Sequence, residues 1–354
     1  MLSHSFKLLF PVYFICFLSL VTLAGINMRY FWLQFSWIIL GTLVIIAFWR
    51  FDLRSIINDR LFIVLFYFLS LLLLLIAFFL FSPIRSVRGW ISLGFFNFQP
   101  VELSKLSLIL FFAYFFAKKH IGIARISNII IPFFIFLIPA AVVLKQPDLG
   151  SVLVMFGIWI GFLLTSGLRL KHLFFGSAIL IFGFCLAWFS FLANYQKERI
   201  IGVFYPESDP LGVNYNVIQS KIAIGSSGFF GKGFKQGSQV QLGFLPESHN
   251  DFIFAALSEE WGLIGGFSVI TTFFLLCVEI IYVGRRLALN NFDRFFCLGS
   301  ALVLIIHFFI NTGSATGFSP VIGLPFPFLS YGGSNLLTNF SIVAIVNAIA
   351  LRSS

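Results

Sequence analysis

Apolar residues run through this chain in long blocks instead of alternating with polar ones. Ten blocks of roughly 17–22 residues centre near residues 17, 41, 71, 109, 136, 158, 182, 272, 303 and 343. That is the length a bilayer core demands at about 1.5 Å of helix rise per residue. The pattern predicts an all-α, polytopic membrane protein of about ten transmembrane helices. A long outer loop, residues 194–250, separates spans 7 and 8. It has turn signals at Tyr205-Pro206 and Asp209-Pro210, and its length predicts local structure of its own. The first block, from about Leu8 to Ile26, follows Lys7 and is long enough to span, so it is expected to be a membrane helix and not a cleaved leader. Residues 311–335, NTGSATGFSPVIGLPFPFLSYGGSN, hold five Gly, three Pro and no charge. That suits neither a continuous span nor an open loop. A re-entrant or broken outer segment is expected, because irregular backbone at depth must be covered by protein or line a cavity. All of residues 1–354 are expected to form one integral membrane domain.

Composition identifies the solvent as lipid. Hydrophobic residues make up 59% of the 354, charged residues only 10%, and the mean hydropathy is +1.01. Soluble domains carry about 25% charged residues, and a soluble fold of this size could not hide so much apolar surface. The net charge of +10 does not indicate nucleic acid, since the basic residues form no patch. Thirteen of the 23 fall in loops on the side of the N-terminus: Lys7, Arg50, Arg54, Arg60, Lys118, Lys119, Arg125, Arg169, Lys171, Arg285, Arg286, Arg294 and Arg352. The short loops opposite hold Arg29, Arg85, Arg88 and Lys145. By the positive-inside rule both termini are expected to be cytoplasmic. The four cysteines and five histidines are scattered, without metal-ligand spacing.

The acids are skewed the other way. Nine of 13 lie on the outer side or at its boundary, which membrane insertion does not require. Glu102 and Lys105, three apart at the start of a span, share a helix face, either as a structural ion pair or as the polar floor of an outward-facing cavity. Asp148 precedes the sixth span, as a helix cap or as an acid facing the same cavity. GSSGFFGKGFKQGSQ, residues 225–239, is rich in glycine but fails the phosphate-loop pattern at Ser226 and Gly233. Its amides, with Lys221, Lys232 and Lys235, could still cradle an anion. The densest constellation is FLPESHNDFIFAALSEEWGLIGG, which gathers Glu247, His249, Asp251, Glu259 and Glu260. Asp251 directly precedes an apolar run. Desolvation there would raise its proton affinity, as suits a general base; a helix cap is the structural alternative.

RGWISLG at 88–94, QPVELSKL at 99–106, KQPDLGS at 145–151, SDPLGVNYNVIQSKIAIG at 208–225, GKGFKQGSQVQLGFLPESHNDFIFAALSEEWG at 231–262 and GLPFPFLSYGGSNLL at 323–337 together resemble the SEDS (RodA/FtsW) family of bacterial cell-wall proteins. The resemblance runs in order over about residues 83–340. YPESDPLG, NYNVIQSKIAIGS and KGFKQGSQVQLGFLPE are similar to the elongation, RodA-like branch. It implies a ten-span peptidoglycan glycosyltransferase polymerising lipid II at the outer face of the bacterial plasma membrane. Its implied partners are a class B penicillin-binding protein and other rod-complex membrane proteins. The family's catalytic acid falls on Asp251, and matching polar positions are Trp90, Glu102, Lys105 and Asp148. Asn250 stands where the family motif has Thr, and Val101 where it has a small residue; neither change removes an ionisable group.

The chemistry fits one carboxylate. Glycoside hydrolysis uses two because a leaving alkoxide must be protonated, whereas pyrophosphate leaves as an anion and cations replace the acid. Asp251 would take the proton of the acceptor hydroxyl, and in-line attack would invert the anomeric centre. Arg88, Lys105, Arg199, Lys221 and Lys232 are the candidates for holding the phosphates, with Trp90 and His249 also on the substrate side. No ligand cluster indicates a resident metal, while a divalent cation bridging the pyrophosphate is compatible with this chemistry. Two other readings stay open: a flippase for lipid II, which needs ionisable groups along a whole path, and a non-catalytic scaffold for the penicillin-binding protein, which has no use for the Asp251 cluster.

Overall fold

The computed structural model describes residues 2–51, 53–84, 87–94, 96–119, 127–167, 185, 188–190, 194–212 and 214–352. Its main helices are α1 (Leu2–Ile26), α2 (Met28–Arg50), α3 (Arg60–Leu80), α4 (Pro100–Lys119), α5 (Ser127–Lys145), α6 (Leu149–Thr165), α7 (Asn194–Phe204), α8 (Tyr215–Gly225), α9 (Ile253–Tyr282), α10 (Asn291–Thr316) and α11 (Gly333–Arg352). Among the described residues, eight helices are long and apolar enough to cross a membrane, and α6 is a shorter apolar one. The chain is therefore a multi-pass membrane protein. Nine of the ten apolar centres fall inside these helices, while the seventh, near residue 182, lies outside the described residues. The one strand pair among the described residues is a two-residue antiparallel contact, Ile91 opposite Phe98.

Helix boundaries follow local chemistry. Asn27, Asp59, Asp148 and Asn290 each cap a helix start, their side chains accepting from the free amides of Arg29, Phe62, Ser151 and Asp293. Helices α2 and α3 expose Trp32, Leu43, Ile46, Phe68, Leu72 and Phe79, the faces that lipid would cover. By contrast α4 and α11 are buried along most of their length. They form the centre, with α11 packed on α2 and α4 packed on α3 and α10.

Two departures from regular helix position the site. In α9, Gly262 breaks the path with φ +68°. The loop of residues 228–233 plugs the break. Its Gly228 and Phe229 carbonyls accept from Leu263 and Ile264, and the carbonyls of Glu259 and Glu260 accept from Lys232 and Gly233. Four backbone groups at the kink thus find partners in the loop, as a low-dielectric setting demands. The crossing brings Gly231 and Gly262 into backbone contact that leaves no room for a side chain on either. The second departure is the Gly/Pro segment. Helix α10 runs on to Thr316 and α11 starts at Gly333, so the irregular part is residues 317–332, narrower than the 311–335 expected. Leu324, Phe326, Phe328 and Leu329 are buried, and the segment's carbonyls are taken by side chains from several helices.

Candidate active site

All the carboxylates singled out at the starts of α4, α6 and α9 gather at one end of the bundle, and the irregular segment of residues 317–332 joins them. Asp251 lies in the turn before α9 and is half-buried. Phe252, not Asp251, occupies the cap position of α9, which has no side-chain cap bond. Three successive carbonyls hold this turn. That of His249 accepts from the Tyr331 amide (3.0 Å), that of Asn250 from the Ser330 hydroxyl (2.7 Å), and that of Asp251 from the Asn311 amide (3.1 Å). Asn311 also donates to the Leu324 carbonyl at 2.8 Å, so one side chain ties Asp251 to the segment beside it. Gly323 flanks the carboxylate: a Cβ there would sit 3.7 Å from Asp251 Oδ2. With no side chain at 323, that approach to the carboxylate stays clear. On either side, Glu247 and Phe328 adopt left-handed φ of +55° and +65°. Such strain costs about 1–3 kcal/mol per residue and concentrates where geometry is functional.

His249 stacks flat on Tyr30 (centroids 4.2 Å apart, planes 8°) and lies 3.8 Å from Glu247. Tyr331 closes the aromatic group at 5.1 Å from Tyr30. Burial, with Tyr30 beside it, pushes the Tyr331 hydroxyl above its ordinary range, so it stays neutral.

The Glu102–Lys105 pair departs from the open-cavity expectation. Both are buried, 4% and 1% exposed, and Lys105 Nζ donates to Glu102 Oε1 at 2.8 Å. His307 Nδ1 lies 3.1 Å from the Pro325 carbonyl. A carbonyl can only accept, so Nδ1 carries the proton and Nε2, 3.1 Å from Lys105 Nζ, accepts from the ammonium. Asn335 donates to the other Glu102 oxygen at 3.1 Å, and Asn339 donates to Asn335 at 2.8 Å. This closed network anchors the segment that flanks Asp251 instead of forming a cavity floor.

Asp148 caps α6, accepting from the Ser151 amide and hydroxyl, with Gln99 at 3.4 Å. Next to it, Gly150 leaves no space for a side chain against the Ile322 carbonyl (2.8 Å). Arg88 is exposed, its amide donating to the Gln146 carbonyl, and Trp90 is half-buried two residues on. Arg199 donates to the Val321 carbonyl at 3.0 Å, and the stem of exposed Lys221 packs near Gly317. Lys232 is a correction to the phosphate-binding set. Its ammonium is committed to Glu259 at 2.7 Å, a fully buried carboxylate that also accepts from the amides of Gln239 and Val240. Lys105 is committed likewise, which leaves Arg88, Arg199 and Lys221 at the solvent boundary.

Glu259 is therefore the anchor of the 228–245 loop. Replacing Glu259 with Gln keeps its shape but leaves Lys232 half-buried and unpaired and weakens two amide bonds. A loss of about 2–4 kcal/mol of stability is expected, read as a lowered unfolding temperature and faster proteolysis at residues 232–241. Sequence reading missed His307, Asn311, Asn335 and Asn339. The available signal was a pair of polar side chains at i, i+4 in each of two apolar helices. No group of three or more His, Cys, Asp or Glu poised for a metal occurs among the described residues.

A family model described as "Cell cycle protein", FTSW_RODA_SPOVE, matches residues 2–354. The peptidoglycan glycosyltransferase MrdB of Escherichia coli (strain K12) is 38% identical over 282 residues, 78% of this chain and 75% of that protein. A probable peptidoglycan glycosyltransferase FtsW of Haemophilus influenzae is 36% identical over 281 residues, 78% and 70% of the two chains. A chain from a structure described as the structural coordination of polymerization and crosslinking by a peptidoglycan synthase complex superposes with a TM-score of 0.83 at 30% identity, covering 98% of this chain and 97% of that one. The crystal structure of the rod shape determining protein RodA of Thermus thermophilus gives 0.71 at 27% identity, covering 98% and 96%.

Proposed function

The chain belongs to the FtsW/RodA/SpoVE family, with peptidoglycan glycosyltransferases among its relatives, and we propose that it polymerises lipid II into glycan strands with Asp251 as general base. The observation that carries this reading is the Asp251 turn. A half-buried carboxylate has three successive main-chain carbonyls fixed by residues 330–331 and by Asn311, beside a glycine that leaves one approach clear. Preorganisation of this kind is what a positioned base requires.

The acceptor sugar's 4-hydroxyl loses its proton to Asp251 as its oxygen bonds to the donor's anomeric carbon. The bond from that carbon to the pyrophosphate breaks on the opposite face, the electron pair leaving on a phosphate oxygen, so the anomeric configuration inverts from α to β. Pyrophosphate departs as an anion, and no second carboxylate is needed to protonate it. Arg88, Arg199 and Lys221, exposed at this end of the bundle, offset the charge that develops on it. Trp90, His249 and Asp148 border the same face, and lateral access between helices lets the lipid tail stay in the bilayer. The excess of basic residues at the far end supports a cytoplasmic side for both termini, and with it an outer-face position for the Asp251 end in the bacterial plasma membrane. The neighbouring synthase complex supports a crosslinking partner, a class B penicillin-binding protein.

A flippase would need ionisable groups along the whole path. Here most of the acids crowd one end, and Glu279 towards the other is held by His4 at 2.9 Å. The reading is tested with purified protein, alone and with its transpeptidase partner, given labelled lipid II. Glycan polymer resolved on a gel is expected. Movement of labelled lipid across liposome bilayers without any polymer would overturn it in favour of transport.

A further inference from the structure

At the end of the bundle opposite Asp251, α9 passes into one π-helical turn, Val283–Leu287, before α10 begins at Asn291. A cavity of about 510 Å³ opens between this turn, the start of α10 and Thr165 at the end of α6. That volume is within the range of small-ligand sites. Its described lining divides in two. Arg285, Asn291 and Arg294 supply one polar side, and Ile281, Phe295 and Leu298 an apolar one. No Asp or Glu is among the lining residues described, and Asp293, in the same first turn of α10, is buried away from it. Both guanidinium groups reach solvent, and neither makes an ion pair or hydrogen bond among the described residues. Two like charges brought to one concavity from different helices repel unless an anion joins them. The wide π turn that aims Arg285 is itself a rare feature, found mostly at functional positions. Forked guanidinium donors match phosphate oxygens, and an adjacent apolar wall at the end of the spans suits an acyl chain.

We propose that this cavity binds a phosphate-bearing anion through Arg285, Arg294 and Asn291, at the end of the bundle away from the polymerisation site. The source is either the headgroup of an anionic phospholipid in that leaflet or a soluble phosphate. Purified full-length protein is titrated with phosphatidylglycerol and phosphatidylcholine, bound lipid being counted by native mass spectrometry, and with inorganic phosphate by calorimetry. Preference for phosphatidylglycerol over phosphatidylcholine identifies the lipid source, and phosphate binding without that preference identifies the soluble one. In R285Q/R294Q the tightest anion site weakens by roughly tenfold or more, on the order of fivefold per basic group. R50Q/R60Q removes two charges from the same end but outside the cavity and leaves that site intact. Unfolding temperatures report that each variant is folded, and R294Q alone, at about fivefold, carries the test if the double variant is not. Unchanged binding in R285Q/R294Q, or an equal loss in R50Q/R60Q, would overturn the proposal.

Discussion

Replacing Lys105 with Met is expected to destabilise this protein more than any other single change at the site. Lys105 is 1% exposed and, among the described residues, is the only cation paired with Glu102, itself buried. Met matches its length but leaves a carboxylate uncompensated in the centre of the bundle, a loss of about 3–5 kcal/mol. The damage spreads beyond the pair, because His307 loses the donor that fixes its ring and with it the hold on Pro325. Activity should therefore fall together with stability. Glu102→Gln combined with Lys105→Met removes both charges, keeps the amide bonding to Asn335, and should recover much of the lost stability. Unfolding temperatures of the two single variants and the double variant, at a fixed heating rate, provide the check. A Lys105→Met protein that melts with the wild type would show that the network does not carry the segment.

How much of this was legible beforehand follows from where each interaction draws its partners. Apolar length is a local property, so the spans, the helix-cap alternative at Asp148 and the basic skew could be read directly. The i, i+3 pairing of Glu102 with Lys105 was also local. Its burial was not, since the groups that complete it, His307 and Asn335, stand 202 and 233 residues away in sequence. Lys232 read as a phosphate ligand because a lysine in a glycine-rich loop looks available; only the fold brings Glu259 to it. The charge-free Gly/Pro run announced irregular backbone, but not that its residues 330 and 331 would clamp the two carbonyls just ahead of Asp251. The kink at Gly262 gave no warning either, because glycine inside an apolar span is common and the plugging loop lies some 30 residues upstream.

The second large effect is on chemistry and should leave the fold alone. Asp251 is half-buried, and its main-chain carbonyl, not its carboxylate, accepts from Asn311. Asn at 251 keeps the size and the backbone bonds while removing the basicity. A general base contributes typically 10²–10⁴-fold, so polymerisation should fall by that factor, with the unfolding temperature shifted by no more than a few degrees. Glu at 251 retains a carboxylate but displaces it by one methylene against Gly323. Partial activity, between wild type and Asn, is expected there.

The most direct measurement compares glycan polymer made from labelled lipid II by wild type, Asp251→Asn and Asp251→Glu, each purified with the same transpeptidase partner and matched for folded protein. The account predicts polymer from wild type, a reduced yield from Asp251→Glu and a loss of at least a hundredfold in Asp251→Asn. Wild-type levels of polymer from a folded Asp251→Asn protein would contradict it.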